Sequence, residues 1–296
     1  MKRYIYIASF VVLSACTMNK LFLHPTKLDR AATQAHVVDY KSDQTLNVKL
    51  GTHFQPTFFD SLGNKFLLNY TIESIEFPNR NGKNINGWFM APKSKTNNIT
   101  IFYLHGNAGS IYYQYGLMVP FVEKGFTVFM IDYSGFGYSE GKAKIKNVYT
   151  DAEDAFQYMK TRKEYVSDKI IVYGQSLGGH LTAALSRSLQ SEVDAFVIEG
   201  AFANHDEVAA QASGLGWFAK MMVRERYSGL DSIVYVSKPK LFIHSTEDKV
   251  VSFENSELLY NAAKEPKGFY AIDGRHVFGP LLFADSIEQR MLRLLE

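Results

Sequence analysis

Apolar positions along the chain change their spacing twice, and each change marks a kind of element. From Tyr70 the pattern alternates. Thr71-Ile72-Glu73-Ser74-Ile75-Glu76-Phe77 runs to a turn at Pro78-Asn79-Arg80-Asn81-Gly82 and returns through Ile85-Asn86-Gly87-Trp88-Phe89-Met90, which predicts a β-hairpin. Apolar runs without alternation follow at 99–104, 126–131, 170–173, 195–198, 240–243 and 269–272. Such strands are buried on both faces, as in parallel sheets. Helical spacing lies between them, most clearly at Ala152, Ala155, Phe156 and Met159, where Thr150 and Glu153 read as a capping box. The hairpin and six further strands predict an α/β domain over 70–296: a mostly parallel sheet of about eight strands with helices on both faces.

Ahead of position 70 the pattern is irregular. Met1-Lys2-Arg3 is basic, and the apolar run at 4–13 is too short to span a bilayer with its flanks, so 1–15 reads as a signal peptide. Leu13-Ser14-Ala15-Cys16 resembles a bacterial lipobox. That resemblance implies cleavage before Cys16, a lipid on its sulfur, and an exported lipoprotein anchored on the periplasmic or outer side of a membrane. The non-acidic Thr17 implies the outer membrane where the bacterium has two. Cys16 is the only cysteine in 296 residues, which leaves no intrachain disulfide. Residues 16–69 read as a lipidated tether and extension with short strands added to the domain.

Composition narrows the partners. A net charge of +2 with 21% charged residues supplies no basic field for nucleic acid. Gly135-Phe136-Gly137 lacks the third glycine of a dinucleotide fingerprint, since Glu140 stands there, and no P-loop occurs. No HExxH and no paired cysteines occur, so no metal site is implied.

The chemistry-bearing residues fall at strand ends, where open α/β sheets build their sites. Gly174-Gln175-Ser176-Leu177-Gly178-Gly179 follows the apolar run at 170–173 and leads into helical spacing, as a nucleophile elbow requires. His105-Gly106-Asn107, Asp132-Tyr133-Ser134-Gly135-Phe136-Gly137-Tyr138-Ser139, His244-Ser245-Thr246-Glu247-Asp248 and Asp273-Gly274-Arg275-His276 end four other strands. On these motifs the chain, from about Ile72 onward, resembles serine hydrolases of the α/β-hydrolase superfamily, in a compact subgroup with an HGN oxyanion strand. The resemblance implies the chain order Ser176, Asp248, His276, and no cofactor. The chemistry asks for the same parts. A serine hydroxyl needs an imidazole to remove its proton, and His276 is the last histidine on a strand-end loop. The imidazole needs a carboxylate on its far nitrogen, for which Asp248 stands ahead of Glu247 and Glu199. The oxyanion needs backbone N–H donors, offered by Leu177 and by Asn107 in the first loop. His244 is expected to be a structural hydrogen-bonder and His105 to brace its own loop. Two positions depart from the family pattern: HGxxD appears without its glycine, and Val277 follows the histidine where a small polar residue is common.

The connection at 203–237 is where this fold inserts a lid. It is short, so either a single covering helix or a short apolar cap segment over an acyl pocket is expected, with a fairly open site. Candidate pocket residues are Tyr133, Trp217, Phe218, Met221 and Met222. The expected substrate is a small-molecule acyl ester or thioester, with the membrane reached through the lipid anchor. An amidase or peptidase with the same triad stays open, as does a surface lipoprotein that keeps the fold only to bind.

Overall fold

The computed structural model describes residues 19, 22–38, 44–205 and 227–296. Among the described residues the strands are β1 His24–Pro25, β2 Gln34–Val38, β3 Thr45–Leu50, β4 Pro56–Phe59, β5 Tyr70–Pro78, β6 Asn84–Pro92, β7 Ile99–Leu104, β8 Ala108–Gly109, β9 Thr127–Ile131, β10 Lys169–Gln175, β11 Ala195–Glu199, β12 Lys240–Ser245 and β13 Lys267–Ile272. Eight of them form the central sheet in the order β13-β12-β11-β10-β7-β9-β6-β5. The hairpin β5–β6 and the β6–β9 pair are antiparallel; every other pairing in the sheet is parallel. The expected eight-stranded, mostly parallel sheet is therefore present.

The helices, numbered among the described residues, are α1 Ile111–Gln114, α2 Val119–Glu123, α3 Ile145–Thr161, α4 Leu177–Leu189, α5 Gly229–Ile233, α6 Glu254–Ala262, α7 Gly279–Leu282 and α8 Ala284–Arg293. Pleating sends successive strand residues to opposite faces. Phe102 and Leu104 thus join one core with Ala152 and Phe156 of α3, Leu181 and Leu185 of α4, and Leu259 of α6. Ile101 and Tyr103 join the other, with Ile111 of α1, Phe121 of α2, and Ile287 and Met291 of α8. Because both faces are covered, all six residues of β7 are buried, which accounts for its unbroken apolar run. Each large apolar side chain contributes about 1.5–3 kcal/mol on burial. Among the described residues no helix is long and apolar enough to cross a membrane.

Two findings refine the expectations. Helix α3 begins at Ile145, after Lys144, so Thr150 and Glu153 lie within it and form no capping box. Thr150 Oγ1 instead donates back to the carbonyls of Lys146 and Asn147, 3.3 and 3.1 Å away. The extension ahead of residue 70 is packed onto the domain over its described length. Val37, Leu46, Val48 and Phe58 of the antiparallel sheet β2-β3-β4 belong to the second core, and Phe22 and Leu23 belong to the first.

Candidate active site

Strand β10 ends at Gln175 and α4 starts at Leu177, leaving Ser176 alone on the turn with φ 56° and ψ −117°. A left-handed φ on a serine costs about 1–3 kcal/mol, and the flanking packing holds it. A Cβ on Gly174 would sit 1.9 Å from the Gly178 carbonyl oxygen, and one on Gly178 would sit 1.9 Å from that of Leu104. Only glycine lets strand and helix approach so closely. The Ser176 N–H is spent on the carbonyl of Glu199, 2.9 Å away, which ties the turn to β11.

The loop after β13 carries His276, and the loop after β12 carries Asp248. His276 Nδ1 donates to Asp248 Oδ2 at 2.5 Å. His244 Nε2 lies 3.2 Å from the same oxygen and 2.9 Å from the Val251 carbonyl; both are acceptors, so this nitrogen carries a proton. Its other nitrogen meets Ser256 Oγ at 2.6 Å, making His244 the structural hydrogen-bonder that was expected. The N–H groups of Val250 and Val251 donate to Asp248 Oδ1 at 2.8 and 2.9 Å. Burial pushes the Asp248 carboxyl upward, but the hydrogen bonds from His244 and His276, the charge of His276 and the Val251 N–H outweigh it and hold the group well below the usual carboxylate range. His276 Nε2 is buried and has no hydrogen-bond partner among the described residues.

That imidazole and Ser176 line one cavity of about 230 Å³ together with Asn107 and Leu177, so the proposed nucleophile, base and oxyanion donors converge. Its apolar wall is Phe22, Phe202 and Val251. A wider cleft of about 870 Å³, which His276 also lines, is bordered by Glu247, Lys249, Arg275 and Phe278. Tyr133, expected in the pocket, is a correction. It is fully buried, its hydroxyl donates to the His105 carbonyl at 3.0 Å, and its ring packs on His105 and Phe136, because it points back into the core and not along the strand-end opening. Trp217, Phe218, Met221, Met222 and Cys16 lie outside the described residues.

Sequence reasoning missed a buried network beneath the site. Glu199 Oε2 accepts from the Tyr173 hydroxyl at 2.6 Å and from Gln175 Nε2 at 2.7 Å, while its Oε1 accepts from the Gly279 N–H at 2.9 Å. Gln175 Nε2 also reaches the Val277 carbonyl at 2.9 Å, and Gln175 Oε1 accepts from the Tyr103 hydroxyl at 2.5 Å. The residue before Ser176 and the residues after His276 are thus joined through one carboxylate. Burial raises the Glu199 carboxyl, and its three donors together with the charge of His276 oppose the rise. The signal in the sequence was a glutamate ending an apolar strand, a position whose partners are all distant.

His105 and Asp132 are both fully buried, with His105 Nε2 3.7 Å from Asp132 Oδ1. At that separation no hydrogen bond joins the two side chains. Burial alone pushes Asp132 up to about 8, against one N–H from Ile111. Burial likewise pulls His105 down to about 4, against the Gly106 carbonyl, so burial disfavours the charged form of each group. His105 braces its own loop through the 2.7 Å contact of Nδ1 with the Gly106 carbonyl.

A sheet of this order with a strained serine between β10 and α4 defines an α/β-hydrolase fold. A family model described as alpha/beta hydrolase fold matches residues 99–228. The uncharacterized protein YfhR of Escherichia coli (strain K12) is 34% identical over 215 residues, covering 70% of this chain and 74% of its own. The alpha/beta hydrolase domain-containing protein WAV2 of Arabidopsis thaliana is 27% identical over 215 residues, covering 68% and 70%. Among solved structures, the Pyrococcus furiosus esterase Pf2001 superposes with a TM-score of 0.62 at 19% identity, over 76% of this chain and 92% of that one. The chain belongs to the α/β-hydrolase family.

Proposed function

We propose that this protein is a serine hydrolase that cleaves a carboxylic ester or thioester through an acyl-enzyme, and that Cys16 tethers it to a membrane. One observation carries the catalytic reading: an imidazole fixed by a buried carboxylate at 2.5 Å, its Nε2 without a hydrogen-bond partner among the described residues, lines the same cavity as the strained Ser176. In the proposed cycle His276 Nε2 takes the Ser176 hydroxyl proton as Oγ attacks the carbonyl carbon. The Leu177 and Asn107 N–H groups receive the negative charge on the carbonyl oxygen. Collapse breaks the bond to the alcohol or thiol, which leaves with the proton now on His276. Water then repeats the sequence on the acyl-enzyme, losing its proton to His276, and returns Ser176. Asp248 holds the productive tautomer throughout and steadies the imidazolium.

A fluorophosphonate should label the parent protein once and leave Ser176→Ala unlabelled, with ester turnover abolished and the fold intact. Labelling of the variant at another residue would move the nucleophile. The tether is tested separately: Cys16→Ser should release the protein from washed membranes with its activity on a soluble ester unchanged, and continued retention would show that something other than Cys16 holds it.

A further inference from the structure

The cavity at Ser176 borrows a wall from the far N-terminal part of the described chain. Phe22 is only 3% exposed and lines it, with its ring 6.3 Å from that of Phe202 and 5.1 Å from that of His205. The backbone after it is bonded to the loop that carries Asn107. The His24 N–H donates to the Asn107 carbonyl at 2.9 Å and the Thr26 N–H to that of Gly109 at 3.0 Å, as β1 pairs in parallel with β8. The strap continues with the Gly137 N–H on the Thr26 carbonyl and the Leu28 N–H on that of Gly137, each at 2.9 Å. At its other end Asn19 Oδ1 accepts from the Ile145 N–H, 3.0 Å away, at the start of α3. Phe22 is therefore pinned on both sides in sequence.

Chemistry assigns this wall to one half of the substrate. The leaving group must take its proton from His276, so it lies on the His276 side, where the wide cleft is bordered by Glu247, Lys249 and Arg275. That leaves the acyl chain to the cavity shared with the oxyanion loop, whose apolar lining includes Phe22, Phe202, Leu177 and Val251. The volume there, about 230 Å³, falls below the roughly 300–1,000 Å³ of sites for drug-sized ligands.

We propose that Phe22, held by the strap to the oxyanion loop, is the specificity-determining wall of the acyl site and selects a short to medium acyl chain. The proposal rests on the serine-hydrolase reading. Its test uses the full chain, a fluorophosphonate, and p-nitrophenyl esters of increasing length below their micelle concentrations. The parent profile of kcat/KM should peak at about four to eight carbons, because methylenes beyond the wall stay in water and add no binding. Phe22→Ala should move the peak to longer chains and lower kcat/KM on the parent's best ester about tenfold or more. Phe22→Trp should move it to shorter chains. Both variants should still be labelled at Ser176. Opposite shifts are an outcome that a merely structural role of Phe22 would not produce. Should either variant fail to fold, Phe22→Leu carries the same test with a smaller shift toward longer chains. Unmoved profiles in labelled variants, or a parent profile still climbing at palmitate, would overturn the assignment while leaving the nucleophile in place. A parent protein that takes no label would overturn the serine-hydrolase reading, and the acyl site with it.

Discussion

Two buried histidine–carboxylate pairs stand at the same edge of the sheet and are built to opposite effect. Asp248 faces His276 at 2.5 Å and gathers donors on both oxygens: two imidazoles on one, two backbone N–H groups on the other. Asp132 faces His105 at 3.7 Å and receives a single N–H, from Ile111 at 2.8 Å. Burial opposes the charge in both pairs. Four donors overcome it at Asp248, and one does not at Asp132. A buried carboxylate is thus kept ionised by the donors aimed at it, and proximity to a histidine is insufficient. Exposure differs as well: the His276 side chain is 15% exposed and reaches the cavity, whereas that of His105 is sealed. Only the first pair can both hold a charge and pass a proton to a substrate.

The strongest way to break this contrast is Asp248→Asn. An amide cannot fix the Nδ1–H tautomer of His276, so kcat should fall about 10⁴-fold with KM little changed. A loss under tenfold would remove Asp248 from the proposed triad. A matching collapse in Glu247→Gln would pass the role one residue back. Glu247 Oε2 is occupied by the Gly274 N–H at 3.2 Å, and the expected effect there is small.

Glu199→Gln probes the support beneath the active pair and should have an intermediate effect. Three donors converge on this carboxylate, and an amide turns its NH₂ toward at least one of them. An unsatisfied buried donor costs about 1–3 kcal/mol of stability. The loop carrying His276 is held through the Val277 carbonyl and the Gly279 N–H, so its loosening should lower kcat about 10- to 100-fold while KM stays near the parent value. Loss of stability with kcat unchanged would make Glu199 a packing residue only.

What could be read from the sequence follows from how local each cause is. The strand at 99–104 was legible to the residue because burial on both faces writes an unbroken apolar run. The strand-end positions of Ser176, Asp248 and His276 were legible because each follows such a run, while their catalytic roles are part of the proposal. The start of α3 was not, since its first N–H is satisfied by Asn19, far back in the chain, while the local Thr150–Glu153 pattern sits inside the helix. Phe22 was not, because the short apolar run Leu21-Phe22-Leu23 among polar residues carries no periodicity, and its proposed role comes from the pairing of β1 with β8. Tyr133 was misplaced for a related reason: position at a strand end does not say which way a side chain turns. The Glu199 network joins residues that are distant in sequence and was invisible for the same cause.

The smallest expected effect belongs to the silent pair and appears in stability, with activity little changed. Burial raises Asp132 from 3.8 to about 8, so folding favours its protonated form; the stability this contributes is present below pH 3.8 and is lost as pH rises toward 8. His105 has the opposite sign. Burial lowers it from 6.5 to about 4, so its contribution is present above pH 6.5 and is lost as pH falls toward 4. Between about pH 4 and 6.5 the two trends offset each other, and above 6.5 only the decline from Asp132 remains. Asparagine copies the shape of the neutral acid and can keep the bond from the Ile111 N–H, so Asp132→Asn should fold and retain its turnover. Urea unfolding at pH 5, 6.5 and 8 should show the variant gaining on the parent as pH rises, by up to about 1.4 kcal/mol per unit. Curves that stay parallel across this range would mean that Asp132 is ionised in the folded protein, and the contrast between the two pairs would then lie in exposure alone.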